Sequence, residues 1–194
     1  MSGLGLLVVI SGPGGVGKDT LIEMLRARQP GLRYSVSYTT RPRRDYEVDG
    51  EHYRFVDDDR FARLAAEGAL LENARVNGHL YGTSAAMVQE ARDRGEDMIL
   101  KIDVQGAEQV RERCPDAVFV FVAPPSMDEL HRRRVSRGSE ASDEIEARQR
   151  LAEVEMGYAS RYDHVVVNDA AARAVSEIEG ILAGARERQR AGRR

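Results

Sequence analysis

The sequence predicts an α/β protein built on a core parallel sheet, and three observations carry that expectation. Short apolar runs at Leu6 to Ile10, Met98 to Ile102 and Ala117 to Val122, with a last strand at His164 to Val167, read as strands buried on both faces. Segments of helical periodicity alternate with them. The first run also ends in a glycine-rich turn, Ser11-Gly12-Pro13-Gly14-Gly15, that leads into a helix.

In that helix Leu21, Ile22, Met24 and Leu25 recur at helical spacing until Gln29-Pro30-Gly31 stops them. From residue 34 to 83 the alternation breaks down, leaving β-like pieces around Tyr53 to Phe55 and Leu70 to Val76 and one short helical segment near Phe61. This stretch reads as an inserted subdomain. A second insertion, Ser136 to Ser142, is small and polar between two arginine-bearing helices, and with its flanks it makes 136–159 a small lid. The core is then residues 1–33, 84–135 and 160–194. Past Ala171 a last helix ends in the basic tail Arg186 to Arg194, expected to fray into solvent.

At 194 residues the chain has the size of one domain, able to bury a core without metal or disulfide staples. Cys114 is its only cysteine, which fits a reducing compartment. No apolar run approaches the roughly 20 residues that cross a bilayer, and Leu6 to Ile10 is too short for a signal-peptide core. The expectation is a soluble, cytoplasmic protein with no membrane partner. A net charge of −3 argues against a nucleic-acid binder. All but two of the 29 basic residues are arginine, the side chain whose planar fork grips phosphate bidentately.

Gly12-Pro13-Gly14-Gly15-Val16-Gly17-Lys18 has Walker A spacing between a strand and a helix start. Such a loop turns backbone N–H groups onto phosphate oxygens, the helix dipole adds positive potential, and Lys18 brings a full charge to the β- and γ-phosphates. Asp19 stands where Ser or Thr usually helps hold Mg²⁺, with Thr20 one place later. Two readings stay open. Asp19 binds the metal, or its charge merely favours the helix N-terminus.

Ser35 to Arg44 places hydroxyls and three arginines within ten residues, a cluster suited to a second phosphate. Gly50-Glu51-His52-Tyr53-Arg54-Phe55, Glu72-Asn73-Ala74, Gly78-His79-Leu80-Tyr81-Gly82-Thr83, Ile102-Asp103-Val104-Gln105-Gly106 and Ala123-Pro124-Pro125-Ser126 follow in order. With Ser37-Tyr38-Thr39-Thr40-Arg41-Pro42-Arg43-Arg44, this set resembles the guanylate kinase family along essentially the whole chain. The resemblance implies a P-loop kinase fold with an inserted GMP-binding subdomain (34–83) and a lid, and transfer of the γ-phosphoryl group of ATP to GMP with Mg²⁺. It implies that Ser37, Glu72, Thr83 and Asp103 face guanine and that Arg41, Arg44, Tyr53 and Tyr81 clamp the GMP phosphate.

Guanine's chemistry agrees, because its N1–H and exocyclic amine are neighbouring donors that one carboxylate can accept. Arg134, Arg137 and Arg148 match the family's lid arginines, and Asn168, ending the last strand, is expected near the adenine. Lys101 departs from relatives that are acidic there; period two would set it on one strand face with Asp103, where the two could pair. The rivals are a ribose bisphosphate kinase-like enzyme, which Gly17-Lys18-Asp19 resembles, and a guanylate-kinase-like binding module without catalysis. Glu72, Tyr81 and Thr83 oppose the first; Lys18 and the lid arginines oppose the second.

Overall fold

A computed structural model of the chain describes residues 3–135 and 142–192, and of residues 134 and 142–148 it describes the backbone alone. In chain order its elements are β1 (Leu7–Ser11), α1 (Lys18–Arg28), β2 (Arg33–Tyr34), β3 (Tyr38–Thr39), β4 (Arg54–Phe55), α2 (Asp58–Ala66), β5 (Leu70–Val76), β6 (His79–Ser84) and α3 (Ala85–Asp93). They continue with β7 (Met98–Lys101), α4 (Val104–Arg113), β8 (Val118–Ala123), α5 (Met127–Val135), α6 (Ser142–Met156), β9 (His164–Val167) and α7 (Ala171–Ala191). One sheet has the order β2-β7-β1-β8-β9, the other β4-β3-β6-β5.

In the larger sheet β2 is parallel to β7 and β8 to β9, so the α/β class holds. The apolar runs behave as strands enclosed on both faces: every residue of β1 and of β8 is buried. β9, at the edge, buries Val166 and exposes Val165 and Val167. The chain divides into two compact units, residues 1–8 with 31–117 and residues 9–30 with 118–194, the division passing through β1.

The first unit carries the smaller sheet, in which β6 is antiparallel to both β3 and β5 while β4 is parallel to β3. Phe61 and Leu64 of α2 and Leu70 of β5 form a buried cluster beneath it. The helices start on side-chain caps: Asp57 accepts from Arg60 N–H, Ser84 from Met87 N–H and Asp103 from Gly106 N–H. The N-terminal segment is sewn to the unit by Gly5, which exchanges hydrogen bonds with the backbone and guanidinium of buried Arg92. A Cβ at Gly5 would stand 1.9 Å from the Glu96 carbonyl oxygen, so no larger residue fits this approach.

In the second unit α1 and α7 are tied by Arg28 to Glu179 at 2.9 Å and by Arg186 to Gln29 at 2.9 Å. The expectation of a frayed tail from Arg186 is corrected: α7 stays helical to Ala191, and Arg186 meets the side-chain amide of Gln29 just past the end of α1. Sequence patterning also missed β2, β3 and β6, since a two-residue strand shows no alternation and β6 contains a glycine.

Candidate active-site residues

The phosphate loop of the second unit is shaped by glycines that no other residue replaces cheaply. Gly12, Gly15 and Gly17 have φ of 140°, 87° and 102°, and a Cβ on Gly12 would lie 2.1 Å from the Val122 carbonyl oxygen. Gly17 begins α1 with no side-chain cap, which leaves the helix start to an anion. The Lys18 ammonium donates to the carbonyls of Gly12 and Pro13 and so braces the turn it belongs to. Gly14 is exposed, Val16 is buried beneath the loop, and Asp19 and Thr20 are both exposed in the first turn of α1.

Asn168 closes this turn from below. It is 6 % exposed, and its amide donates to the Val16 carbonyl at 2.8 Å while its own N–H donates to Ala123 O at 2.8 Å. Its carbonyl in turn accepts from Arg133 Nη1 at 3.1 Å. Asn168 thus shapes the loop's backbone, a role in which the expectation of an adenine neighbour had no part.

In the first unit Arg41 is the best-anchored of the clustered arginines. Its Nη2 donates to Glu47 Oε1 at 2.6 Å and its Nη1 to the Pro42 carbonyl at 2.7 Å, and its guanidinium lies 5.6 Å from the Tyr53 ring centroid. Tyr81 meets that ring edge-on at 5.8 Å. The hydrogen bond to Glu47, against the lowering effect of burial, and then Tyr81 hold Arg41 above the ordinary arginine pKa. Glu47 is 4 % exposed; burial pushes its carboxyl up, but the bonds from Arg41 and from the Arg44 N–H outweigh that and leave it below the usual range. Arg44 itself donates from its guanidinium to the Tyr46 hydroxyl at 2.8 Å.

Glu72, on β5, is 2 % exposed and its Oε1 accepts from Thr83 Oγ1 at 2.6 Å, with Ser37 Oγ 3.5 Å from the same hydroxyl. Burial above all raises its carboxyl to about 7; the Thr83 bond opposes the rise, Asp103 adds to it and Arg113 opposes it. Room for this carboxylate comes from Gly106 of α4, where a Cβ would stand 2.3 Å from Glu72 Oε2.

Comparison with known proteins places the whole chain in a family. The family model described as guanylate kinase covers residues 5–185. The chain belongs to the guanylate kinase family. The guanylate kinase of Symbiobacterium thermophilum is 47 % identical over 178 residues, which is 92 % of this chain and 84 % of that one. That of Pseudomonas fluorescens Pf-5 is 42 % identical over 194 residues, 97 % and 94 % of the two chains. The crystal structure of guanylate kinase from Anaplasma phagocytophilum superposes with a TM-score of 0.78 at 34 % identity, covering 95 % of this chain and 87 % of that one. The chain is accordingly a phosphotransferase with the P-loop kinase fold.

Within its first unit this guanylate kinase brings Ser37, Glu72, Thr83 and Asp103 together and gathers Arg41, Tyr53 and Tyr81 separately. Lys101 does not share a strand face with Asp103: β7 ends at Lys101 and Asp103 is the cap of α4, because the chain turns into that helix directly. Its ammonium lies 5.4 Å from the Tyr53 ring centroid. Arg137 lies outside the described residues, as do the side chains of Arg134 and Arg148. Sequence reasoning missed Glu47, whose signal was its place among acidic residues, Asp45, Glu47, Asp49 and Glu51, directly after three arginines that need partners.

Proposed function

We propose that this guanylate kinase transfers the γ-phosphoryl group of ATP to GMP, forming ADP and GDP, and so acts in purine nucleotide metabolism in the cytoplasm. The observation that carries the acceptor assignment is the buried Glu72 beside Thr83 and Ser37, a carboxylate kept among polar partners where a base with two adjacent donors satisfies it. On this reading Glu72 accepts guanine's N1–H and amine, with Ser37, Thr83 and Asp103 bonding its other polar edges. Arg41, held by Glu47, takes the GMP phosphate with Tyr53, Tyr81 and Arg44. The loop from Gly12 to Thr20 takes the ATP phosphates, with Lys18 on the transferred group.

Phosphoryl transfer asks for alignment and for cations around a charge-rich transition state rather than for covalent help. The acceptor phosphate is already ionised, so no general base is required. Arg137 and Arg148, in the proposed lid of 136–159, and Arg134 just before it supply further positive charge, and residues 34–83 form the acceptor subdomain. Asp19 and Thr20 fit Mg²⁺ by chemistry, as exposed hard oxygen donors at the helix start, and among the described residues no cluster of three acidic, His or Cys side chains offers a cage. An ion arriving with ATP would neutralise phosphate charge when bound.

The test is ADP release measured with GMP, dGMP, AMP, UMP and ribose phosphates as acceptors. Preference for GMP over AMP and over the ribose phosphates is expected; equal or greater use of a ribose phosphate would overturn the reading.

A further inference from the structure

We propose that Gln109 and Arg113, on one face of α4, are positioning residues for substrate choice: they hold the backbone of β5 so that Glu72 is presented opposite Thr83. The inference rests on the reading of Glu72 as the guanine acceptor and deepens it.

The reason such support is needed lies in β5. Leu70 pairs with Ser84 and Glu72 with Thr83, so Leu71 is an extra residue with no opposite number on β6. In an unbroken ladder Leu71 would face Thr83 and Glu72 would face Gly82. The bulge buries Leu70, Leu71 and Glu72 in succession before alternation resumes with exposed Asn73 and buried Ala74. It also takes backbone groups out of the ladder, and these need other partners.

α4 supplies them. Arg113 Nη1 donates to the carbonyls of Leu70 at 3.0 Å and Leu71 at 2.6 Å, on the bulge itself. Gln109, one turn earlier, accepts from Asn73 N–H at 3.1 Å and donates to Asn73 O at 2.7 Å. The two side chains therefore grip the strand on either side of Glu72. Asp103, Gly106, Gln109 and Arg113 follow at intervals of three, three and four, which stacks them along one helix face. That face caps the helix, makes room for the Glu72 carboxylate and fixes the strand that carries it.

A role limited to fold strength would lower all activities together, whereas a positioning role acts on the guanine alone. We would measure kcat and KM for GMP and AMP, and KM for ATP, in Glu72→Ala, Arg113→Ala, Arg113→Lys and Gln109→Ala. The expected result is that Glu72→Ala collapses the GMP-to-AMP ratio, while Arg113→Ala and Gln109→Ala each raise KM for GMP about tenfold, as for one lost charged or paired hydrogen bond. The ratio narrows by the same factor, KM for ATP stays put, and Arg113→Lys recovers part of the loss because an ammonium also donates to carbonyls. Should Arg113→Ala fail to fold, Gln109→Ala and Arg113→Lys decide. If Glu72→Ala collapses the ratio but the α4 variants keep it, or lose both substrates in proportion, the inference is wrong. If Glu72→Ala itself keeps the ratio, the guanine reading falls and takes the inference with it.

Discussion

The guanidinium of Arg41 donates to the carboxylate of Glu47 across 2.6 Å, and both side chains are largely out of solvent, 14 % and 4 % exposed. Glu47 also accepts the Arg44 N–H at 2.8 Å, so one carboxylate closes the loop that bears two of the proposed phosphate-clamp arginines. Glu47→Gln keeps an acceptor but removes the charge. We expect KM for GMP to rise roughly three- to tenfold with kcat within about twofold, since the arginine would be less well preorganised. Steady-state kinetics with varied GMP checks this, and a parental KM would show that the pair is only structural.

Glu72 makes stability depend on pH in an unusual sense. Its folded pKa of about 7 lies above the ordinary carboxylate value of 4.5, so the folded protein binds the proton more tightly than the unfolded chain. Stability from this group is therefore present below pH 4.5 and falls as pH rises toward 7. Glu72→Gln, which is neutral throughout, should melt higher than the parent at pH 8 by up to about 3 kcal/mol, with the gain shrinking toward pH 4.5. Thermal melts of the nucleotide-free proteins across that range would reveal the trend; a pH-independent difference would contradict it.

With Glu72 as the proposed guanine acceptor, the same group would couple guanine binding to protons. Donors on the base favour the ionised carboxylate, so GMP should bind with proton release near neutrality, and KM for GMP should climb by up to about tenfold per unit as pH falls below 7. Calorimetry in two buffers of different ionisation enthalpy measures the proton directly. AMP, lacking the donor pair, should show little of this dependence.

In the phosphate loop, Asn168→Ala removes the amide that meets the Val16 carbonyl and should raise KM for ATP several-fold while leaving GMP affinity alone. Gly12→Ala is expected to be far worse, because both its φ of 140° and the Val122 carbonyl forbid a Cβ. Soluble, fully active Gly12→Ala protein would show that the loop is laxer than its geometry implies.

Lys18→Ala should abolish turnover yet leave GMP binding nearly intact, since the acceptor's phosphate is held by other residues. Equilibrium binding of GMP alongside a turnover assay separates the two effects, and normal turnover would remove Lys18 from the donor site.

What could be read before folding was whatever chemistry imposes locally. The glycines of the phosphate loop were legible because their backbone angles leave few alternatives, and β1 and β8 because full burial demands unbroken apolar runs. Ser37, Glu72 and Thr83 were legible through the resemblance, in a fixed order of motifs. Glu47, Gln109 and Arg113 were not: along the chain they look like ordinary solvated polar residues, and only the fold sets them against a guanidinium or an unpaired carbonyl. Lys101 was misjudged for a related reason, since where a strand stops is decided by the helix that follows it.

On the proposed reading of Glu72, the extra residue at Leu71 gives the choice of base an arithmetical character. Two proteins with the same composition in β5, differing only in whether that strand is counted with or without its surplus position, would present a carboxylate or a leucine to the same hydroxyl. In evolutionary terms a route to a changed substrate then runs through insertions and deletions beside β5, which leave every side chain of the pocket intact and alter only which of them arrives there. Descendants that diverged by that route would be hard to recognise by comparing residues column by column, because the residues would all still be present.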